Sequence, residues 1–265
     1  MCGIAGYSLG ERSRADRTLA AQALLAGIAE RGEDAVGYAF RVGDAPVTVH
    51  KQQTGPSGLI EHLRIPAQAT QALVHVRDYT KGPPSIAANN HPVRHGAVVG
   101  IHNGIISNDD ELFARRGWER HEAEMTVDSE VIFALAEATG SDVRALEQLS
   151  GAMAAAWMDE RRPDVLFLAR GVCRPLWIGC GRHEIFFAST RTTLQLVERS
   201  LRLNLRLREV REGRMLRLVE GRVAVEERWQ PDASYVEENV LPAVRAPHEG
   251  ESCLQRLAAA IAAVT

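Results

Sequence analysis

Met1-Cys2-Gly3-Ile4-Ala5-Gly6 is the stretch around which the rest of the chain is best interpreted. Removal of the initiator methionine would leave Cys2 as the N-terminal residue, with its thiol a few bonds from its own α-amine. An α-amine has an unperturbed pKa of about 8 and a thiol about 8.5, so the neutral amine can take the thiol proton. A nucleophile activated by its own terminus follows this scheme. The stretch therefore favours a catalytic cysteine, although a small hydrophobic cysteine at position 2 is the alternative.

The chain of 265 residues has the composition of an ordinary globular protein, with 45% apolar and 25% charged residues. A chain of this length can bury a core without disulfides or structural metals, as one large domain or two small ones. Its net charge of −3 gives no reason to expect a nucleic acid or an anionic membrane as partner. The most basic stretch, residues 199–222, contains leucines that alternate with polar residues, which favours strands over a nucleic-acid site.

The cysteines and the hydropathy of the chain indicate the cellular compartment. The first thirty residues contain polar and acidic side chains throughout, unlike a signal peptide, and no apolar run approaches the roughly 20 residues that span a bilayer. The cysteines have neither metal-ligand spacing nor a secretory context; they are Cys2, Cys173, Cys180 and Cys253. We therefore expect a reducing cytoplasm and no membrane partner.

The sequence gives no indication of a metal or an organic cofactor. His91, His95 and His102 could be ligands, but Pro92 prevents the first two from sharing a helix face. No carboxylate or cysteine joins them at familiar ligand spacing. A Walker phosphate-binding loop and a Gly-x-Gly-x-x-Gly turn after a strand are both absent from the sequence. We therefore predict no metal and no cofactor.

Strand and helix patterns indicate the fold class. Predicted strands fall in two batches, before residue 102 and after residue 151, with helices in pairs between them. Because regular alternation of strand and helix is absent, we predict an α+β fold of two packed, mainly antiparallel sheets with helices outside. Residues 231–251 are polar and contain proline, and Leu254–Val264 reads as an alanine-rich helix. The predicted division is a domain at 1–230 and a C-terminal tail at 231–265.

Three polar positions elsewhere could form a site with the N-terminal nucleophile. Arg77 follows the predicted strand Ala72–Val76 and could bind a carboxylate, or be an ordinary surface arginine. Asn103-Gly104 follows the predicted strand Ala97–Ile101 and offers two donors for an oxyanion hole, although locally an Asn-Gly turn between strands is favoured. Asp128 could bind a substrate ammonium or cap a helix. Each signal is weak alone, and their order along the chain is more specific.

The order and spacing of these pieces resemble the class II glutamine amidotransferase domain, a member of the N-terminal-nucleophile (Ntn) hydrolases. The resemblance covers roughly residues 2–229 and implies a four-layer αββα sandwich. The matching segments are Met1–Gly6, Arg31–Gly37, Leu73–Arg77 with Thr80 and Gly82, Asn90–Pro92, His102–Asn108, Val127–Val131, Arg174–Leu176 with Gly179, and Phe187–Ser189.

The resemblance implies catalytic and supporting roles for residues at matching positions. Cys2 would attack the side-chain amide carbon of glutamine. The Asn103 side chain and the Gly104 N–H would hold the oxyanion. Arg31, near the nucleophile, and His102, beside the oxyanion residues, would be supporting residues.

The resemblance also implies how glutamine is held. Arg77, with Thr80 beside it, would bind the α-carboxylate, and Asp128 would bind the α-ammonium. Two positions depart from the family pattern: Asp78 stands where an aromatic residue is often found, and Lys81 where some members have histidine. Both lie in the loop that would close over glutamine, so they put its selectivity in question.

The leading hypothesis is a glutaminase that releases ammonia for an acceptor. Family members usually carry the acceptor domain on the same chain, whereas only the tail 231–265 follows here. We therefore expect a separate synthase or transferase subunit, with the tail as a candidate contact, and a homo-oligomer is also open. Two alternatives remain: a hydrolase of another γ-glutamyl amide or peptide, and a regulatory module without catalysis, which would lack a nucleophile or an oxyanion residue.

Overall fold

The computed structural model describes residues 1–237 and 242–263. Within them the strands, in chain order, are β1 (Gly3–Leu9), β2 (Ala35–Val42), β3 (Thr48–Gln52), β4 (Ala69–Arg77), β5 (Val93–His95), β6 (Val98–Ile106), β7 (Gly151–Asp159), β8 (Val165–Arg170), β9 (Trp177–Cys180), β10 (Glu184–Ala188), β11 (Arg206–Glu209), β12 (Arg214–Val219) and β13 (Arg222–Arg228). The α-helices are α1 (Arg17–Ile28), α2 (Asp109–Arg116), α3 (Glu130–Thr139), α4 (Arg191–Ser200) and α5 (Pro247–Ala262).

Local sequence explains where several helices begin and end. The Asp16 carboxylate accepts the Leu19 N–H at 2.7 Å and so caps the start of α1. Gly117 and Gly140 follow α2 and α3 in the left-handed conformation, at φ of +64° in both cases, which is the usual way for glycine to end a helix. Among the described residues, no helix is both long and apolar enough to cross a membrane.

The strands form two antiparallel sheets. One has the order β11-β9-β10-β1-β4-β2-β3 and the other the order β13-β12-β8-β7-β6-β5. Strand β1 lies inside the first sheet, paired with β10 on one side and β4 on the other. Strand β6 lies between β5 and β7 in the second sheet.

Three apolar clusters show how the layers are stacked. The first joins one face of the seven-stranded sheet to α1, α4 and α5. The second joins the six-stranded sheet to α2 and α3. The third, which includes Ile4, Leu73 and Ile101, fills the space between the sheets. The order of layers is therefore helix, sheet, sheet, helix, and the predicted α+β sandwich of two antiparallel sheets is confirmed.

Strand β6 differs from the sequence-based expectation. It does not end at Ile101 but continues to Ile106, with Asn103 opposite Ala154 and Gly104 opposite Met153 on β7. The Asn-Gly turn that local preference favoured is therefore wrong. The long partner strand supplies a hydrogen-bonding edge that local sequence preference does not register.

The alternating leucines after α4 also differ from expectation. Strand β11 begins only at Arg206. The Leu201 N–H donates to the Val197 carbonyl and the Leu203 N–H to the Glu198 carbonyl, so the end of the helix uses this part of the backbone.

The C-terminal helix packs on the helical layer of the first sheet. Cys253 and Leu257 of α5 are buried in the first apolar cluster. The Glu249 carboxylate accepts the Ser57 N–H at 2.7 Å and the Ser57 hydroxyl at 3.0 Å. The helix begins seven residues before the predicted start at Leu254, because Pro247 fits its first turn. Residues 238–241 of the tail and the predicted helix end at Val264 lie outside the described residues, and the division at 230 stays a prediction.

Candidate active site

A small pocket lies where β1 begins and the middle of β6 faces it. Its lining residues are Met1, Cys2, Asp78, Thr80, Asn103, Gly104, Ile105, Arg174 and Glu237. The cavity measures about 10 Å³, which is room for about one water molecule. The fold therefore brings four of the predicted site residues to one closed pocket, namely Cys2, Thr80, Asn103 and Gly104.

The thiol of Cys2 is half-buried and held by neighbouring backbone. It donates to the Asp78 carbonyl at 3.4 Å, and the Arg31 Nε donates to the Cys2 carbonyl at 2.8 Å. Burial raises the pKa of the thiol, against the opposing effects of the Asp78 carbonyl, the chain's ammonium and the Arg77 guanidinium. That ammonium belongs to Met1 and is paired with the Asp78 carboxylate. With Met1 in place, the α-nitrogen of Cys2 is a peptide nitrogen and cannot act as its base.

The side chain of Asn103 is buried and has both of its polar atoms available for a ligand. Its side chain is 1% exposed, and within the described residues neither its amide nitrogen nor its amide oxygen has a hydrogen-bond partner. A buried polar group left unpaired costs about 1–3 kcal/mol, so such groups are rare away from functional sites. Asn103 lines the same pocket as the Cys2 thiol.

Gly104 lies beside Asn103 and has a conformation and surroundings that exclude a side chain. Its φ is +149°, and a Cβ atom there would lie 1.9 Å from the Ala152 carbonyl oxygen and 2.7 Å from the His102 Nε2. Backbone contact from β7 thus requires glycine at this point of β6. The close approach leaves the backbone at the pocket without a covering side chain.

His102 is fixed beneath the Asn103-Gly104 pair. Its Nδ1 lies 2.8 Å from the Ser129 hydroxyl and its Nε2 lies 3.3 Å from the Ala152 carbonyl. Burial lowers the pKa of His102 to about 3, so the ring is neutral near pH 7. It can therefore hold this part of β6 in place but cannot serve there as a proton store.

Arg77 does not line the pocket. Its guanidinium donates to the Asn90 amide oxygen at 2.5 Å, to the Lys81 carbonyl at 2.9 Å, and to the Gly82 carbonyl. It is buried and closes the base of the loop formed by residues 78–92. Binding of a substrate carboxylate would require some of these carbonyls to give way.

Asp128 is likewise outside the pocket lining. It is 3% exposed, and its carboxylate accepts the Ile106 N–H at 2.7 Å, next to the end of β6. Burial raises its pKa to about 6. Asp128 thus connects the residues before α3 to the end of β6.

The two positions that depart from the family pattern have different locations. The Lys81 ammonium contacts Asp109 at 2.8 Å and Asp110 at 2.7 Å, so it anchors the loop to the start of α2 and does not line the pocket. Asp78 does line the pocket, where its carboxylate binds the Met1 ammonium and lies 3.3 Å from Arg245.

Sequence reasoning gave no role to two charged residues of the pocket. Arg174 belongs to a matching segment but received no role, and Glu237 lies in the tail. Their side chains form an ion pair that is 4% and 8% exposed. No local pattern singles out Glu237, because its partner lies 63 residues earlier in the chain.

Metal ligation has no counterpart in the geometry. In the ranges that the structure describes, no group of three or more His, Cys, Asp or Glu side chains is placed to hold a metal ion. His91 stacks on His75 with ring centroids 4.2 Å apart, and His95 contacts Glu130 at 2.8 Å. Within the described residues, His95 is thus paired with a carboxylate, whereas His91 and His102 both lie next to His75.

Comparison with known sequences identifies the domain. Residues 83–196 match a family model described as a glutamine amidotransferase domain. Glutamine–fructose-6-phosphate aminotransferase (isomerizing) of Shigella flexneri is 33% identical over 214 residues, covering 75% of this chain and 33% of that protein. Its Aliivibrio fischeri counterpart is 37% identical over 135 residues, covering 48% and 22%. The chain thus spans about a third or less of the length of these relatives.

Solved structures share the fold. Glutamine phosphoribosylpyrophosphate amidotransferase from B. subtilis, in complex with ADP and GMP, superimposes with a TM-score of 0.68 at 21% identity, covering 86% of this chain and 49% of that one. A glutamine aminotransferase class-II domain protein from Silicibacter pomeroyi gives a TM-score of 0.54 at 17% identity, with 87% and 100% covered. The fold is that of an Ntn-type amidotransferase domain. The predicted resemblance to the class II glutamine amidotransferase domain is confirmed, and the relatives that the chain matches are glutamine-dependent amidotransferases.

Proposed function

We propose that this chain hydrolyses the side-chain amide of glutamine through a thioester on Cys2 and so gives glutamate and ammonia. The observation that supports this most directly is the pocket itself. A half-buried thiol and an unpaired, buried Asn103 amide line one cavity together with Gly104. A nucleophile next to unused hydrogen-bond donors is what acyl transfer requires.

The proposed reaction has two halves. In the first, the thiol of Cys2 adds to the amide carbon as its proton passes to the α-amine. The oxygen of the resulting tetrahedral species accepts hydrogen bonds from the Asn103 amide and the Gly104 N–H. The α-amine then gives a proton to the departing nitrogen, ammonia leaves, and a thioester remains. In the second half, water gives a proton to the amine and its oxygen to the acyl carbon. The C–S bond breaks, the amine returns its proton to the sulfur, and glutamate and the free thiol result.

This mechanism requires removal of Met1. Only then is the nitrogen of Cys2 an amine, and only then is the Met1 side chain absent from the pocket lining. The Asp78 carboxylate, which pairs with the Met1 ammonium, would be the candidate partner of the new terminus.

We assign the two ends of the bound amino acid to Arg77 and Asp128, which carry the required opposite charges. Arg77 would bind the α-carboxylate after exchange of its loop carbonyls, with Thr80 at the pocket rim. Asp128 would bind the α-ammonium. Burial raises the pKa of the Cys2 thiol and the positive charge of Arg77 opposes that rise, which supports this assignment.

We further propose that the ammonia passes to an acceptor site on a separate synthase or transferase subunit. The large apolar side chains that are exposed among the described residues are Tyr79, Val225, Val236, Val244 and Leu254. Tail residues account for three of the five, so the tail is a candidate contact. Cross-linking that finds only monomer, together with full-rate glutaminase activity of the isolated chain, would contradict the partner.

The test of the nucleophile is mass spectrometry after treatment with the chloroketone analogue of glutamine. Intact mass first establishes that Met1 has been removed. We expect one adduct on Cys2, absent in Cys2→Ala and suppressed by glutamine. Labelling at the exposed Cys173 instead would overturn the assignment. Turnover of glutamine compared with γ-glutamyl dipeptides then decides between a glutaminase and a hydrolase of another γ-glutamyl compound.

A further inference from the structure

The ion pair between Arg174 and Glu237 lies inside the nucleophile pocket. The Arg174 Nη1 donates to Glu237 Oε2 at 2.7 Å and its Nη2 donates to Oε1, so the contact is bidentate. Both side chains line the cavity together with Cys2 and Asn103. A carboxylate from the tail is therefore already bound where the substrate's reacting end has to enter.

The chain before and after Glu237 is also attached to the domain. The Asp232 carboxylate accepts the Ser150 hydroxyl at 2.6 Å. Beyond the tail residues that are left undescribed, the backbone N–H groups of Arg245 and Ala246 donate to the Glu30 carbonyl at 2.8 and 2.9 Å. These contacts hold Glu237 near the thiol, which raises its local concentration above that of a free ligand.

Arg174 is the guanidinium that faces the cavity. Arg77 donates to Asn90 and to two loop carbonyls and does not line the cavity. A planar guanidinium fork binds carboxylates bidentately, and a buried one left without its partner is costly. When Glu237 leaves, Arg174 consequently needs another carboxylate. The amino acid that enters the pocket carries one.

We propose that Arg174 is a carboxylate-binding subsite of this pocket and that Glu237 occupies it as an internal competitor of the substrate or product carboxylate. The inference rests on the proposed function, since it assumes that an amino acid enters beside Cys2. Met1 and Glu237 both line the cavity of about 10 Å³, so after removal of Met1 the Glu237 carboxylate still lies where glutamine has to bind, and the two exclude each other. The apparent affinity for glutamine is then reduced by the fraction of molecules in the closed form.

The experiment compares Glu237→Gln with the unchanged chain and with Glu251→Gln, which removes the same charge from an exposed position on α5. Cys2 alkylation is followed at low concentrations of the chloroketone analogue and of its α-methyl ester. We expect Glu237→Gln to accelerate alkylation by the free acid roughly tenfold or more, because the competing contact loses its charge and its bidentate geometry. In Glu237→Gln the rate of alkylation by the ester should increase less, and in Glu251→Gln neither rate should change.

Glutamate inhibition separates the two sources of the carboxylate. A larger gain for the acid than for the ester assigns Arg174, in place of Arg77, to the α-carboxylate. Equal gains with stronger inhibition by glutamate in Glu237→Gln assign it to the γ-carboxylate of the product. Equal gains with unchanged glutamate inhibition, or no gain at all, overturn the proposal. Should Glu237→Gln fail to fold, Glu237→Asp keeps the charge on a shorter side chain and should show a smaller effect in the same direction.

The proposed function fails in a different way. If Cys2 is not alkylated by either probe in any variant after removal of Met1, the nucleophile itself is wrong. If Cys2 reacts equally in all variants, only the competitor role of Glu237 is lost.

Discussion

Asn103 illustrates how a functional side chain differs from a structural one of the same type. Asn89, also buried, accepts the Thr126 N–H at 2.7 Å and the Val127 N–H at 3.0 Å. Asn103 has no such partner in the described part of the chain. The fold thus satisfies the Asn89 amide oxygen and leaves the Asn103 amide available for a ligand.

This contrast predicts opposite effects of two alanine substitutions. Asn103→Ala should leave the free energy of unfolding unchanged or increase it, because an unpaired amide is removed, and should lower kcat by about a hundredfold to a thousandfold. Asn89→Ala should lower the free energy of unfolding by about 1–3 kcal/mol, because it leaves buried donors unpaired. Urea unfolding and glutaminase assays check both. Marked destabilisation by Asn103→Ala with activity retained would show that Asn103 is a structural residue.

Alanine substitutions of Gly104 and of Gly43 should differ in their effects on stability and activity. Gly104→Ala places a Cβ atom 1.9 Å from a backbone carbonyl, which only separation of β6 and β7 can relieve. We expect loss of activity and a destabilisation above about 4 kcal/mol. Gly43 also has a positive φ, of +54°, but nothing lies within 4 Å of its Cβ position. Gly43→Ala should cost only about 1–2 kcal/mol and preserve activity, as measured by thermal unfolding and turnover.

At the scale of the element, β6 and the residues before α3 act as one unit. The Asp128 carboxylate bonds the Ile106 N–H, and the Ser129 hydroxyl lies 2.8 Å from the His102 ring. Contacts from two successive residues thus fix the strand that carries Asn103. This connection positions the proposed oxyanion donors from behind.

The raised pKa of Asp128 predicts a pH-dependent stability. Its pKa is about 6 in the folded chain, against an ordinary value of 3.8. As the pH rises from about 4 to 6, the unfolded chain ionises first, so the folded state loses up to about 3 kcal/mol and nothing further above pH 6. Asp128→Asn should therefore increase the free energy of unfolding at pH 8 and much less at pH 4.5, while it weakens glutamine binding.

Urea unfolding at the two pH values checks this, with the exposed Asp142→Asn as the matched control. The Asp142 carboxylate accepts the Arg144 N–H at 3.0 Å, and the amide oxygen of an asparagine can cap the same N–H. No pH-dependent gain is therefore expected for the control. A gain for Asp128→Asn that is equal at both pH values would contradict buried ionisation as the cause.

The sequence could predict residues of the candidate site only where they belong to contiguous motifs. Cys2 and Asn103-Gly104 stand in such motifs, and both line the pocket. The continuation of β6 through Asn103 could not be read locally, because it depends on pairing with β7 some fifty residues later. Glu237 could not be predicted for the same reason, because an ion pair between distant segments produces no periodic pattern in the sequence. The fold class could be predicted from the two groups of strands, because hydrophobic periodicity can be recognised without knowing which strands pair.

At the scale of the whole molecule, substitutions in α5 test whether the tail folds together with the domain. Leu257 is 2% exposed against the first apolar cluster, and Leu254 on the same helix is 46% exposed. Leu257→Ala should lower the free energy of unfolding by about 2–5 kcal/mol in one cooperative transition, and Leu254→Ala by less than about 0.5. If Leu257→Ala leaves the main urea transition unchanged, the tail unfolds independently and the boundary at 230 is a true domain edge.

The central place of β1 sets a time limit on maturation. Ala5 pairs with Ala188, so one neighbour of the N-terminal strand leaves the ribosome about 180 residues after it, roughly 10–40 s later at ordinary elongation rates. Before then the first residues are accessible to a methionine-removing peptidase; afterwards the Met1 ammonium is engaged by Asp78. We expect folded chains that still carry Met1 to resist methionine aminopeptidase, and urea-unfolded ones to be trimmed. The supply of active enzyme would then depend on translation speed relative to trimming, which makes peptidase capacity in the cell a determinant of its specific activity.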